Sequence, residues 1–283
     1  MHKRTQLAAV LVVALSLGMT AVVLGATRSA KQTVLGDIAP VKLPKQTRKP
    51  ATIRIRTQIS DAADPATCNS QTHQCTGTTP PVSDHTYIDF DDDISFNGNV
   101  VPNCSLAAIS SQDTAGARAA CASSMVGKGS ALVMLGGIPG QAPPADSALP
   151  VVISAFDGQP KNGHPTLYLH AKASGAPAVV LIGELVNSPQ PGDYGKRLDV
   201  VTPPTGGPVT FFDTFTGGKV LNPTGAATVV KSAYVKARCH DRNRLLNFHA
   251  LFHYDQSMAP GVYPEHGEAF DTDRCKVKRR RHR

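Results

Sequence analysis

The stretch Ala51-Thr52-Ile53-Arg54-Ile55-Arg56-Thr57-Gln58 decides the fold. Ile53, Ile55 and Thr57 fall on one side of an extended chain and Arg54, Arg56 and Gln58 on the other, the two-residue period of a half-buried strand. Further strand candidates follow in short runs bounded by Gly, Pro, Asn or Asp: Thr86–Phe90, Ser130–Leu135, Val151–Phe156, Thr166–Ala171, Ala178–Val186, Arg197–Val201, Val209–Phe215, Ala233–Cys239 and Leu246–Tyr254. Breakers such as Gly136-Gly137, Asp157-Gly158 and Asn162-Gly163 leave no room for long helices. The pattern predicts an all-β domain over residues 51–275, an antiparallel β-sandwich of two packed sheets. The exception is Gln112–Ser123, where dense Ala and a capping Asp113 predict a short α-helix.

Upstream, Lys3 and Arg4 precede an uncharged apolar run from Leu7 to Ala26. A basic flank followed by such a run is an export signal, and it places everything after Ala26 on the outer side of a membrane. Two fates are open for residues 1–26. One is cleavage after Ala26, although bulky Leu24 stands where a small residue is usual. The other is retention as an N-terminal membrane anchor, since a run of about 20 residues can span a bilayer. Residues 27–50 carry Pro40, Pro44 and Pro50 among scattered basic residues, which reads as an extended linker. Residues 276–283 read as a basic disordered tail.

An even number of cysteines in an exported chain predicts disulfides. Cys68, Cys75, Cys104, Cys121, Cys239 and Cys275 lie beyond the signal. Six cysteines allow 15 connectivities, among which the sequence does not choose; neighbour pairing, which closes short loops, is the expected one: Cys68 with Cys75, Cys104 with Cys121 and Cys239 with Cys275. The second of these would pin the short helix to the loop before it. Structural zinc is disfavoured because no C-x-x-C pair is present.

The formal net charge of +8 is unevenly distributed. Residues 57–275 hold thirteen Lys or Arg against twenty Asp or Glu, whereas residues 27–56 hold eight basic residues against Asp37 alone. The tail adds Lys276, Lys278, Arg279, Arg280, Arg281 and Arg283. Basic arms of this kind would be drawn to anionic envelope polymers or to lipid headgroups, at about 1 kcal/mol per residue near such a surface. An acidic folded part outside the cytoplasm argues against nucleic acid as a partner.

Asp89, Asp91 and Asp93 alternate and would project together, where calcium could neutralise them. The EF-hand pattern fails, with Ile94 at the glycine position and Val100 where a bidentate Glu belongs. His249 and His253 share the polar face of their strand, but four residues apart is about 13 Å, too far to ligate one metal. His170 occupies the polar face of another strand. No Gly-x-Ser-x-Gly elbow and no phosphate-cradling loop is present. Glu184, Asp199 and Asp213 lie in or near strands and are the carboxylates available for glycoside hydrolysis.

Three stretches carry a resemblance: Ala155-Phe156-Asp157-Gly158 followed by Thr166-Leu167-Tyr168-Leu169-His170-Ala171; Tyr194-Gly195 with Leu198 and Val200; and Arg238-Cys239 with Phe248, Phe252, Tyr254 and the late Cys275. Together they resemble a loosely defined group of exported proteins from high-GC bacteria that has no assigned activity. Over residues 85–275 the resemblance implies a single β-sandwich-like domain with a late disulfide, and it transfers no catalytic residue. The function expected from all of this is a non-enzymatic envelope or extracellular binding module. A secreted hydrolase acting on an envelope polymer and a structural surface protein are the alternatives.

Overall fold

The computed structural model describes residues 26–190, 192–203, 207–220, 230–240 and 245–277. Residues up to Gly25, where an export signal is expected, and the tail residues Lys278, Arg279, Arg280, Arg281 and Arg283 lie outside them. Eleven strands form one continuous path: β1 (Ala30–Ala39), β2 (Thr52–Asp61), β3 (Ser83–Asp91), β4 (Met125–Met134), β5 (Ala148–Lys161), β6 (His164–Ala173), β7 (Val179–Asn187), β8 (Tyr194–Val201), β9 (Val209–Val220), β10 (Leu245–Tyr254) and β11 (His266–Arg274). Their order is β1-β2-β9-β4-β5-β6-β7-β8-β3-β10-β11, antiparallel at every step.

The fold is all-β and antiparallel as expected, but the two-sheet sandwich is not formed. One sheet rolls nearly into a barrel, bringing β1 beside β11. An odd number of antiparallel strands leaves the first and last parallel, so an antiparallel ladder cannot close this seam. Side chains close it instead. Asp271 accepts the backbone N–H of Gly36 at 2.8 Å, Asp273 accepts that of Ile38 at 2.9 Å, and the Gln32 amide donates to the Tyr254 hydroxyl at 2.6 Å. Beyond the strand ends, Lys276–Val277 pairs in parallel with Lys42–Leu43.

Residues 27–50 are therefore no linker. Val34, Gly36 and Ile38 alternate inward, and β1 pairs with β2 along its whole length. Their basic charge belongs to the domain: Arg28 bridges Asp61 at 3.1 Å, and Arg48 donates to the backbone carbonyls of Asp92 and Asp93. With residues 27–56 folded in, residues 27–275 hold twenty-one basic and twenty-one acidic residues. The tail's Lys276 is likewise part of a short ladder.

Inward positions are apolar around the barrel, including Ile53, Ile55, Ile88, Phe90, Ile153, Leu169, Leu198 and Phe248. Outward positions of β2, β4 and β9 carry Arg54, Arg56, Lys128 and Asp213, with the arginines stacked over Phe215 and Phe211. That is the reverse of a lipid-facing barrel, whose apolar positions point outward. No helix among the described residues is long and apolar enough to cross a membrane.

The helix expected at Gln112–Ser123 is α2 (Thr114–Ala120), capped by the Asp113 carboxylate accepting from the Gly116 N–H; a four-residue α1 (Leu106–Ile109) precedes it. Ile109 and Ala117 pack on Phe156 and Tyr168 of the outer barrel wall, forming a second small core. The three neighbour disulfides are formed, Cys68–Cys75, Cys104–Cys121 and Cys239–Cys275.

Candidate functional site: an apolar lumen

Eight strands make a barrel whose interior side chains just fill it, and eleven enclose more space. Small inward residues leave that space open here: Ala131 on β4 and Ala171 and Ala173 on β6. A cavity of about 420 Å³ results, walled by β9, β4, β5, β6 and β7 and lined by Val151, Ile153, Val179, Leu181 and Phe212 among others. Its rim consists of Leu135, Ala176, Pro177, Thr202 and Pro203. Two smaller voids of about 80 and 30 Å³ adjoin it inside the barrel, the first reaching Ser83 and Thr202 at the open end, and Phe212 lines all three spaces. Polar groups are sparse in the lining: hydroxyls of Thr57, Ser83, Thr86 and Thr202 in the 80 Å³ void, and of Thr214 and Thr216 in the 30 Å³ void.

The far end is plugged. Phe96 packs edge-on against Phe90 and Tyr234, and Ile94, Val235 and Ala237 are buried beneath them. Asp157, at the inward end of β5, latches this plug. Its carbonyl accepts from the Cys104 N–H at 2.7 Å, and its carboxyl accepts from the Asn103 amide at 2.9 Å and from the Tyr234 phenol. Burial pushes that carboxyl up to about 7 despite both hydrogen bonds. Plugged at one end and open at the other, the lumen has the size and character of a small-molecule site, about 300–1,000 Å³ and mostly apolar.

The residues singled out in the sequence lie elsewhere, mostly on the outer wall. Asp89 is fully buried there, accepting Nε and Nη2 of Arg197 at 2.9 and 2.7 Å, the Ser188 hydroxyl at 2.8 Å and Nδ1 of His249 at 2.9 Å. Burial alone would raise its carboxyl; the bonds from His249, Arg197 and Ser188 outweigh this and hold it at about 2. Asp91 accepts the N–H groups of Asp93 and Asn247, and burial, assisted by the charges of Asp93 and Asp92, pushes it up to about 6. Asp93 is engaged by Arg238 and the His240 N–H. The three carboxylates expected to share calcium are thus divided among three sets of partners, and the acidic groups that approach within 4.8 Å are Asp91, Asp92 and Asp93 without Asp89. The oxygens of Asp91 and Asp93 already serve N–H and guanidinium donors, whereas Asp92 is exposed and lies 3.8 Å from the Arg238 guanidinium.

Two histidines expected at the surface are buried. His170 lies under α2, its Nε2 3.0 Å from the Gln112 carbonyl, and His249 lies under the ring of Phe270, stacked at 4.6 Å. Glu184 and Asp199 are cross-strand neighbours on the outer wall, paired with Lys161 and His85, whereas Asp213 sits on a different part of the wall between Arg54 and Arg56. No pair of these carboxylates faces across the lumen. The lumen itself escaped the sequence reading, although small residues at alternate inward places in β4 and β6 were its available signal. No known protein family, no curated protein and no solved structure matches the chain.

Proposed function

We propose that this protein is an exported, non-enzymatic binding protein that holds the alkyl chain of a lipid-like molecule inside its barrel. One observation carries the reading: an apolar cavity of about 420 Å³ that opens at the mouth of the barrel, whose far end is plugged. Each methylene moved from water into such a lining contributes about 0.8 kcal/mol, and the few hydroxyls demand no charged partner. The three disulfides support maturation in an oxidising compartment outside the cytoplasm.

The test is titration of the purified protein with hexadecanoic acid, followed by calorimetry and by native mass. One molecule should bind per chain. Ala171→Trp fills the cavity, and Ala176→Trp at the rim serves as a second blocker; each should weaken binding at least about tenfold, or 1.4 kcal/mol. Val152→Trp, on the outer wall, should leave it unchanged. Binding that is absent, or indifferent to both blockers, removes the lumen as the site.

A further inference from the structure

Strand polarity assigns every loop to one end of the barrel. Ala30, Asp61, Met134, Ala148, Ala173, Val179, Val201, Tyr254 and His266 mark the open end, so the segments at 135–147, 174–178 and 255–265 surround the mouth. Of the ten exposed large apolar side chains among the described residues, Leu135, Ile138, Val201 and Met258 lie at this end, beside exposed Pro177 and Pro203. The chain also joins the barrel here. Thr27 and Arg28 donate their backbone N–H groups to Gly261 and Val262 of the 255–265 loop, so the apolar run Leu7–Ala26 leads directly to the mouth. The other terminus leaves from the plug, where the Lys276 N–H bonds to Val41.

Resting on the lumen reading above, we propose that the mouth docks on a lipid bilayer, with Leu135, Ile138 and Met258 entering the headgroup boundary so that an acyl chain passes between membrane and lumen without crossing water. Apolar insertion, not charge, holds the contact. Exposed Asp64, Asp146 and Glu265 outnumber exposed Lys31 at this end, and Lys276 pairs at the opposite one, so anionic headgroups gain little at the rim. The apolar run of residues 7–26 strengthens the arrangement, because a segment in the membrane would hold the mouth, and not the plug, towards it.

The chain contains no tryptophan, which makes one introduced indole a clean reporter. Full-length protein carrying Ile138→Trp, or Met258→Trp as a second rim reporter, is mixed with phosphatidylcholine vesicles containing brominated acyl chains. Val100→Trp, exposed at the plugged end, is the comparison. Rim emission should shift to the blue and be quenched by bromine, equally at low and at 1 M salt, while emission from position 100 stays unquenched. Docking is overturned by equal quenching at both ends, by unquenched rim indoles, or by binding that salt abolishes. Hexadecanoic acid titrated into the same variants separates the two readings: a filled lumen with a dry rim rejects docking alone, and a docked rim with an empty lumen rejects the lumen alone.

Discussion

Asp157→Asn tests the latch that plugs the barrel. The carboxyl is 1% exposed and burial raises it from 3.8 to about 7, against the hydrogen bonds from Tyr234 and Asn103. Between those values the folded chain holds a proton that the unfolded chain has released. Stability from this group is therefore complete below about pH 4 and is lost as pH rises through about 7. Moving an acid from 3.8 to about 7 corresponds to roughly 4 kcal/mol across that window. An amide is neutral throughout and can still accept from Tyr234 and Asn103, so the variant should lose this dependence. In urea unfolding from pH 5 to 8, wild-type stability should fall with rising pH, and Asp157→Asn should fall less and be the more stable protein at pH 8. Asp91, raised to about 6, adds a slope of the same sign to both proteins and cancels in the comparison. Parallel pH curves for the two proteins would refute the reasoning.

Two other perturbations address the wall and the seam. Arg197→Ala leaves Asp89 buried with only His249 and Ser188 and should cost about 3–5 kcal/mol in urea unfolding; a loss under about 1 kcal/mol would mean the carboxylate is satisfied without its guanidinium. Gly36→Ala places a methyl 2.3 Å from the Phe248 ring and should cost about 1–3 kcal/mol. Combining it with Phe248→Ala should give less than the sum of the two single losses, and strict additivity would show that the close approach is unimportant.

The strands that could be read in advance are those whose inward positions are filled by large apolar groups, such as Ile53 and Ile55 in β2 and Phe248 and Phe252 in β10. Each seam strand was invisible for a local reason of its own. In β1 the inward Gly36 has no side chain to signal burial, because the Phe248 ring occupies that space. In β11, Asp271 and Asp273 occupy alternate positions on one face to meet the backbone of β1, while Phe270 points outward at 65% exposure, so the usual alternation is inverted. Sandwich and barrel share one period, and only the long-range pairing of β3 with β8 and β10 separates them. The buried state of His170 and His249 likewise depends on α2 and on Phe270, which arrive from distant parts of the chain. Disulfide partners and the Asp113 cap were legible because loop closure and capping are local.

The parallel meeting of β1 and β11 has a consequence for association between molecules. Each terminal strand of an open sheet offers unpaired N–H and C=O groups that can template addition of a foreign strand. Here the N–H groups of Gly36 and Ile38 are occupied by carboxylates of the same molecule. Polymerisation by strand exchange would first have to unzip Asp271 and Asp273, so a lattice of such subunits would have to be built from side-chain contacts between curved walls.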